Sequence, residues 1–364
     1  MTFVTIDPRD ITVVVQGPIV GTSHTPYGEP STRHCLESVR QQLPGAEIVL
    51  STWNGADVRD LSYDRLVTSA DPGAMLCGAN AFVPAGVPYN ANRQIVSTTA
   101  GLRTAVTPYA MKLRSDLLLS SNGFLRYFGA FLGRHPEWRA VGERVVASTC
   151  FSRNPHRRLR YAFHPSDWFH FGRRDDVLAI WDVPLAPEPS IPRWHVTHAR
   201  RPDDLESWAL YRYTVEQYLW VSFLRKFGEV AFTDKLDATP ENIALSELTI
   251  ANNLVLADPD DLGIVFTKYP ITLRTRATLY SYGEWHRLYR RYCEPAAPPV
   301  RRAHDWADRA YARISPVHEF LLSPRTTRVG RAVSDLSQAR FPGAFRAARR
   351  AYVLGLGALG RLGR

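Results

Sequence analysis

Short apolar runs rich in β-branched residues recur along the first 150 residues, and amphipathic stretches separate them. Runs of this kind, bounded by Gly, Pro or Asn, are typical of buried strands. The stretch 31–45, STRHCLESVRQQLPG, predicts a helix, because its apolar residues fall at helical spacing, Ser31 or Thr32 can cap its start, and a Pro-Gly pair ends it. The predicted strands are 11–15, 47–53, 66–71, 110–119, 143–149, 167–172 and 262–268, and the further predicted helices are 92–105, 122–132, 174–182 and 206–227.

This alternation of strands and helices predicts an α/β fold with a mixed, mainly parallel sheet flanked by helices. Ligands of such sheets bind beyond the carboxyl ends of the strands. The loops that follow Val15, Ser51 and Ser115 are therefore expected to lie at one rim of the sheet.

The strand AMKLRSDLLL places charges where a buried strand would normally be apolar. In an extended chain, Lys112, Arg114 and Asp116 share one face. Unpaired buried charges are costly, so these cations need a partner. That partner is either an internal carboxylate, with Asp116 the nearest, or an anionic ligand.

A second candidate for anion binding is the stretch Asn90 to Gln94. It lies at a predicted helix start, where exposed backbone N–H groups together with Arg93 suit an anion. The alternative is an ordinary polar cap followed by a surface arginine.

Two aromatic stretches in the second half carry acidic residues. HPSDWFHFG places His164 and Asp167 beside Trp168, an arrangement that suits an acceptor sugar or, alternatively, an aromatic core strand. In VEQYLW, Glu216 shares a helical face with aromatic residues that include Trp220. A carboxylate in such surroundings can have a raised pKa and act as a general base, whereas the alternative is an exposed glutamate on an amphipathic helix.

Composition excludes several classes of protein. The chain of 364 residues is 45% hydrophobic and contains neither a long apolar stretch nor a secretory signal, so a cytoplasmic protein is expected. Its four cysteines form no CxxC pair and are expected to be reduced thiols. Nucleic-acid binding is not expected, because the first 300 residues carry a net charge of only +1.

The basic character of the chain lies in its C-terminal segment. Residues 301–364 contain 13 arginines and 4 acidic residues, and the segment 343–364 combines arginines with an apolar face. Such a segment can lie on an anionic membrane surface, while its late glycines equally allow a disordered tail. Peripheral contact with the inner face of the cell membrane is therefore an expectation for this segment.

Several motifs follow one another in a fixed order over about residues 11 to 270: ITVVVQGP, LPGAEIVLSTWNG, the Asp71-Pro72-Gly73 break, NANRQIVSTTAGL, MKLRSDLLL, HPSDWFHFG and VEQYLW. In this order they resemble the WavE-type lipopolysaccharide-synthesis family. The resemblance implies a GT-A-like glycosyltransferase that uses a nucleotide-diphosphate sugar and a glycan or lipid-linked glycan acceptor of the bacterial surface. One departure is that Arg114-Ser115-Asp116 stands where the fold commonly has two aspartates flanking one residue.

The resemblance also implies roles for individual residues. A divalent metal, Mg²⁺ or Mn²⁺, bound through Asp116 is one expectation, and direct compensation of the diphosphate charge by Lys112 and Arg114 is the other. The expected base is Glu216, with Asp167 as the second candidate. The donor-binding residues implied are Gln16, Gly17, Pro18, Asp57, Asn92, Arg93, Lys112, Arg114 and Asp116, and the acceptor-binding residues are His164, Trp168 and Trp220.

The predicted organisation is one catalytic domain, 1–293, followed by a Pro-rich linker and basic helical tail, 294–364. Within the domain, 1–150 forms the nucleotide-sugar half and 151–293 the acceptor half. Two other functions remain open from the residues, a sugar nucleotidyltransferase and a non-catalytic glycan-binding protein. The first is disfavoured because the loop after the first strand contains no Lys or Arg before Arg33.

Overall fold

The computed structural model describes residues 5–21, 31–77, 88–157, 159–198, 211–265 and 278–300, with five further residues between 336 and 344. The strands are β1 (Ile11–Gln16), β2 (Glu47–Trp53), β3 (Arg65–Ser69), β4 (Met75–Leu76), β5 (Pro88–Tyr89), β6 (Tyr109–Arg114), β7 (Leu118–Leu119), β8 (Val145–Ser148), β9 (Phe169–Arg173), β10 (Leu254–Ala257) and β11 (Ile264–Val265). The α-helices are α1 (Thr32–Gln42), α2 (Ala91–Arg103), α3 (Arg174–Trp181), α4 (Trp194–Thr197), α5 (Val215–Leu224), α6 (Pro240–Asn253), α7 (Pro259–Leu262) and α8 (Tyr282–Tyr292).

Within the described residues, seven strands form one central sheet in the order β10-β8-β9-β6-β1-β2-β3. All neighbouring pairs are parallel except those of β9, which runs antiparallel to both β6 and β8. The predicted mixed, mainly parallel sheet flanked by helices is thus confirmed. Strands from both predicted halves of the chain belong to this one sheet.

The apolar strands are central because every residue of β1 is buried between neighbouring strands and helices. Helix α2 packs closely over β1 and β2: a Cβ added at Gly101 would lie 2.4 Å from Val14 Cγ1. Ser51 Oγ also donates a hydrogen bond to the Ser97 carbonyl of this helix (2.6 Å). These contacts place the first turns of α2 at the carboxyl edge of the sheet.

Several predicted elements are confirmed closely, and β2 has the predicted bounds. The Ser31 side chain caps α1 by accepting a hydrogen bond from the His34 N–H. Two predicted helices are wrong: 122–132 contains only the 3₁₀ turn Gly123–Tyr127, and the long helix 206–227 is replaced by the shorter α5. Residues 211–214 precede α5 in a non-helical conformation, and 199–210 lie outside the described residues.

The C-terminal part of the sequence prediction is largely untested by this structure. The predicted strand 262–268 is seen only as β11, and 266–268 lie outside the described residues. The basic tail lies outside them too, apart from the five residues noted. Across the part of the chain that the structure describes, no helix is long and apolar enough to cross a membrane.

Candidate functional site

The ends of β1 and β6 are joined at the carboxyl edge of the sheet. The Ser115 N–H donates to the Gln16 carbonyl (2.9 Å), and Ser115 Oγ donates to the Pro18 carbonyl (2.7 Å). The Gln16 side chain is buried and accepts a hydrogen bond from Ser97 Oγ (2.7 Å). Loop 16–18, turn 114–116 and α2 therefore form one continuous rim, as the parallel sheet predicts.

Gly17 allows this close approach of the two loops. Its φ is +127°, and an added Cβ would lie 3.0 Å from Ser115 Oγ. We expect Gly17→Ala to lower the free energy of unfolding by roughly 1–3 kcal/mol, because backbone strain and crowding add together. Gly55→Ala is the matched control, since Gly55 also has a positive φ (+78°) but no atom within 4 Å of the added Cβ. Urea denaturation should show the larger loss at Gly17, and equal losses would contradict the crowding.

Lys112 lies in the interior, with 0% of its surface exposed. Its Nζ donates a hydrogen bond to the backbone carbonyl of Asp167 and lies 4.6 Å from the centroid of the Trp181 ring. Burial lowers the pKa of the ammonium group, although the Asp167 carboxylate opposes that shift. The cation predicted from β6 is thus held by a carbonyl, an aromatic face and a nearby carboxylate.

Arg114 and Asp116 form an ion pair with two hydrogen bonds. Arg114 Nε donates to Asp116 Oδ1 (2.9 Å), and Arg114 Nη2 donates to Asp116 Oδ2 (2.6 Å). The guanidinium also lies 5.4 Å from the ring centroid of Trp168. The internal partner that a partly buried arginine requires is therefore present, and the pair stands at the rim beside loop 16–18.

The Asp167 carboxylate is the least satisfied polar group at this edge. The residue is 2% exposed, and neither carboxylate oxygen has a hydrogen-bond partner within the described part of the chain. Burial raises the pKa of this carboxyl, and the like charge of Glu216 adds to the shift. Lys112, Arg114 and His164 act in the opposite direction. Because buried polar groups are nearly always paired in folded proteins, a bare carboxylate here indicates a functional role.

Glu216 is brought to Asp167 by the start of α5. Thr214 and Gln217 form a capping box at this helix end, and Gln217 Nε2 donates to the Ala162 carbonyl (2.8 Å). These bonds fix the helix against the segment that carries His164. The Glu216 carboxylate lies 3.5 Å from His164 Nε2 and is 17% exposed, so it is the more accessible of the two carboxylates.

Three other residues that were predicted to bind the donor form their contacts elsewhere in the protein. Arg93 binds Asp71 through two hydrogen bonds (2.8 and 2.6 Å), and the Asn92 side chain bonds the backbone of Ala186. The Asp57 carboxylate pairs with Arg59 in its own exposed loop. Donor binding by these residues stays a prediction.

The predicted acceptor-binding residues differ in their surroundings. Trp168 lies near the site, where its ring packs at a tilt against Phe151, with a centroid distance of 4.5 Å. Trp220 is only 1% exposed and packs against Phe223 in the core. Contact of these residues with an acceptor stays a prediction.

The donor set at Asp116 does not form a metal site by itself. Both of its oxygens accept hydrogen bonds from Arg114, and a metal ion held by protein alone needs further ligands. No group of three His, Cys, Asp or Glu side chains suited to a metal occurs among the described residues.

Three buried residues near the cluster were not among the site residues predicted from the sequence. They are Ser97, His170 and Trp181, and each contacts a predicted site residue or the backbone beside one. Serine, histidine and tryptophan at these positions match ordinary helix and core patterns. Only the folded contacts distinguish them.

The fold and this cluster define an α/β protein with a charged site at the carboxyl edge of its sheet. The chain belongs to the WavE lipopolysaccharide synthesis family, whose sequence model matches residues 11–319. A comparison with curated proteins gave no match. Family membership associates the chain with lipopolysaccharide synthesis.

Proposed function

We propose that the protein is a glycosyltransferase that moves a sugar from a nucleotide-diphosphate donor to a surface glycan or glycolipid. The observation that carries this proposal is the buried Asp167 carboxylate, which has no hydrogen-bond partner among the described residues and lies in the same charged cluster as Glu216 and Lys112. A bare carboxylate beside a second one, at the edge where α/β sheets bind ligands, suits proton transfer from a sugar hydroxyl.

The rim supplies groups suited to the donor. Loop 16–18 presents backbone next to the Arg114–Asp116 pair, and Arg114 can turn from Asp116 to the diphosphate as negative charge develops there. Lys112 adds positive charge from inside the protein without reaching the surface. Together these cations favour departure of the nucleoside diphosphate.

The proposed transfer forms one bond, breaks one bond and moves one proton to a residue of this chain. The acceptor oxygen forms a bond with the anomeric carbon, the bond from that carbon to the diphosphate oxygen breaks, and Glu216 takes the hydroxyl proton. We choose Glu216 as the base because it is the more exposed carboxylate. Asp167 keeps negative charge beside it and favours the proton's arrival. Attack opposite the leaving group gives inversion as the simplest outcome.

A thermal-shift screen of nucleoside diphosphates and nucleotide sugars tests donor binding, with EDTA or Mg²⁺ in parallel. We expect one nucleotide to raise the melting temperature in both conditions, since a ligand at 100 times its Kd stabilises the folded state by about 2.7 kcal/mol. Arg114→Gln should reduce that shift. Arg9→Gln should not, because Arg9 pairs with Asp7 ahead of β1, at the opposite edge of the sheet.

Two outcomes of this screen would contradict the proposal. The first is the absence of stabilisation by every nucleotide diphosphate and nucleotide sugar. The second is stabilisation by nucleoside triphosphates alone, with pyrophosphate released from them in the presence of a sugar phosphate, which would indicate a nucleotidyltransferase. A shift that EDTA abolishes would instead contradict direct charge compensation by Arg114 and Lys112.

A further inference from the structure

A buried pair, His170 and Trp181, lies behind the Asp167 backbone and takes no part in the reaction proposed above. His170 is buried, its Nδ1 accepts a hydrogen bond from Trp181 Nε1 (2.9 Å), and its Nε2 lies 3.1 Å from the Ser166 carbonyl. Since Nδ1 accepts, the ring proton must be on Nε2, which donates to Ser166. Burial lowers the pKa of His170 to about 3, and the Lys112 charge adds to this, so the ring is neutral at working pH.

Trp181 also contacts Lys112, which binds the carbonyl of the next residue, Asp167. The Trp181 ring lies 4.6 Å from Lys112 Nζ, which donates to the Asp167 carbonyl. Trp181 therefore touches both side chains that hold two consecutive carbonyls, those of Ser166 and Asp167. Trp181 is itself anchored, because Thr99 Oγ1 of α2 donates to its carbonyl (2.9 Å).

The segment around Asp167 is fixed through its backbone while the carboxylate is left bare. The Ser166 N–H donates to Ser152 Oγ (2.9 Å), and the Trp168 N–H donates to Ser166 Oγ (3.4 Å). Together with the two carbonyl bonds, these contacts hold both sides of Asp167. Neither Asp167 oxygen has a hydrogen-bond partner among the described residues. These contacts hold the Asp167 carboxylate in place without engaging either of its oxygens.

We propose that Trp181, His170 and Lys112 are positioning residues, which fix the Ser166–Asp167 backbone and so the Asp167 carboxylate in the active site. The inference rests on the proposed function, because it assigns this support to the proposed reaction. Displacements of about 1 Å in a catalytic group can cost on the order of 100-fold in rate. Loosening the support should thus lower turnover without weakening donor binding.

Trp181→Phe tests the positioning role because it keeps an aromatic ring in the core and removes the indole N–H that donates to His170. We expect kcat to fall roughly 10- to 100-fold, as for other residues that orient a reacting group, with KM for the donor unchanged. Trp285→Phe is the matched control, since Trp285 is equally buried but its Nε1 has no hydrogen-bond partner among the described residues. It should lose similar stability and keep its kcat.

Lys112→Met tests the second anchor, because it keeps a side chain of similar length and removes the donor to the Asp167 carbonyl. We expect the same loss of kcat. Wild-type kcat in both Trp181→Phe and Lys112→Met, or an equal loss in Trp285→Phe, would overturn the positioning role.

A measurement without substrate separates this inference from the proposed function. In ¹⁵N NMR, His170 should show a single Nε2–H tautomer in the wild type and a mixture in Trp181→Phe. In ¹³C NMR, the Asp167 carboxyl signal, assigned by comparison with Asp167→Asn, should titrate at a different pH in Trp181→Phe. If the wild-type protein transfers no sugar, the proposed function fails, but these spectra still test whether Trp181 and His170 position Asp167. Unchanged spectra in Trp181→Phe would overturn that positioning role.

Discussion

Asp167→Asn is expected to lower the rate of sugar transfer by about 100-fold or more while leaving the protein as stable as the wild type, or more so, at pH 8. General base catalysis is worth roughly 100- to 10,000-fold, and the buried carboxylate supplies negative charge beside the proposed base. Asparagine keeps the shape and the backbone bonds but removes a buried charge that has no hydrogen-bond partner in the described structure. Steady-state kinetics and urea denaturation measure the two effects.

The stability of Asp167→Asn relative to the wild type should increase as the pH rises. Burial raises the folded-state pKa of Asp167 above its ordinary value of 3.8, and Glu216 adds to the shift. Stability from the protonated form is therefore complete below pH 3.8 and is lost as the pH rises through the folded pKa. The free energy of unfolding of the asparagine variant should rise relative to that of the wild type between pH 3.8 and about 6, and the difference should then stay constant.

Asp64→Asn is the matched control for Asp167. Although burial opposes it, hydrogen bonds from Arg40 and the Ile48 N–H hold the pKa of Asp64 below its usual value. Its stability contribution is present at neutral pH and is lost on acidification. Asp64→Asn should thus lower the free energy of unfolding and keep kcat. Loss of stability without loss of kcat in Asp167→Asn would make Asp167 a structural residue.

Glu216→Gln is expected to lower kcat by roughly 100- to 10,000-fold, with the donor-induced thermal shift preserved. The amide keeps the size of the side chain but cannot accept the acceptor's proton. Combining it with Asp167→Asn should cost less than the product of the single effects, because residues that act as a unit are not additive. Transfer assays at saturating donor measure these rates.

Glu247→Gln is a control for loss of a buried glutamate elsewhere in the chain. Glu247 accepts a hydrogen bond from Tyr292 Oη (2.9 Å) and pairs with His156 and Arg291, none of which belongs to the proposed site. This variant should lose stability and retain kcat. Wild-type turnover in Glu216→Gln would remove Glu216 from the mechanism and leave Asp167 as the candidate base.

The sheet could be predicted because its strands have apolar runs and turn residues that depend only on neighbouring positions. The start of α5 could not, because the aromatic, apolar composition of 206–227 continues past Thr214, where the capping box begins the helix. Helix α6 was also missed. Its last residue, Asn253, is polar yet buried, because its Oδ1 accepts hydrogen bonds from the distant Ala140 and Val141 N–H groups.

The sequence predicted which residues form the candidate site better than it predicted which of them contact one another. Alternation along 110–119 identified Lys112, Arg114 and Asp116, and the structure separates them into a buried cation and an ion pair at the rim. Support by Trp181 depends on residues brought together by the fold from three different elements. The spacing of residues along the chain does not predict such contacts.

Release of nucleoside diphosphate from a panel of nucleotide sugars, with a lipopolysaccharide-type acceptor present, measures the proposed sugar transfer itself. We expect release by the wild-type protein from at least one donor, in equal amount to glycosylated acceptor, and its loss in Asp167→Asn and Glu216→Gln. No release from any donor, or release by both variants at the wild-type rate, would contradict the proposed function and its two carboxylates.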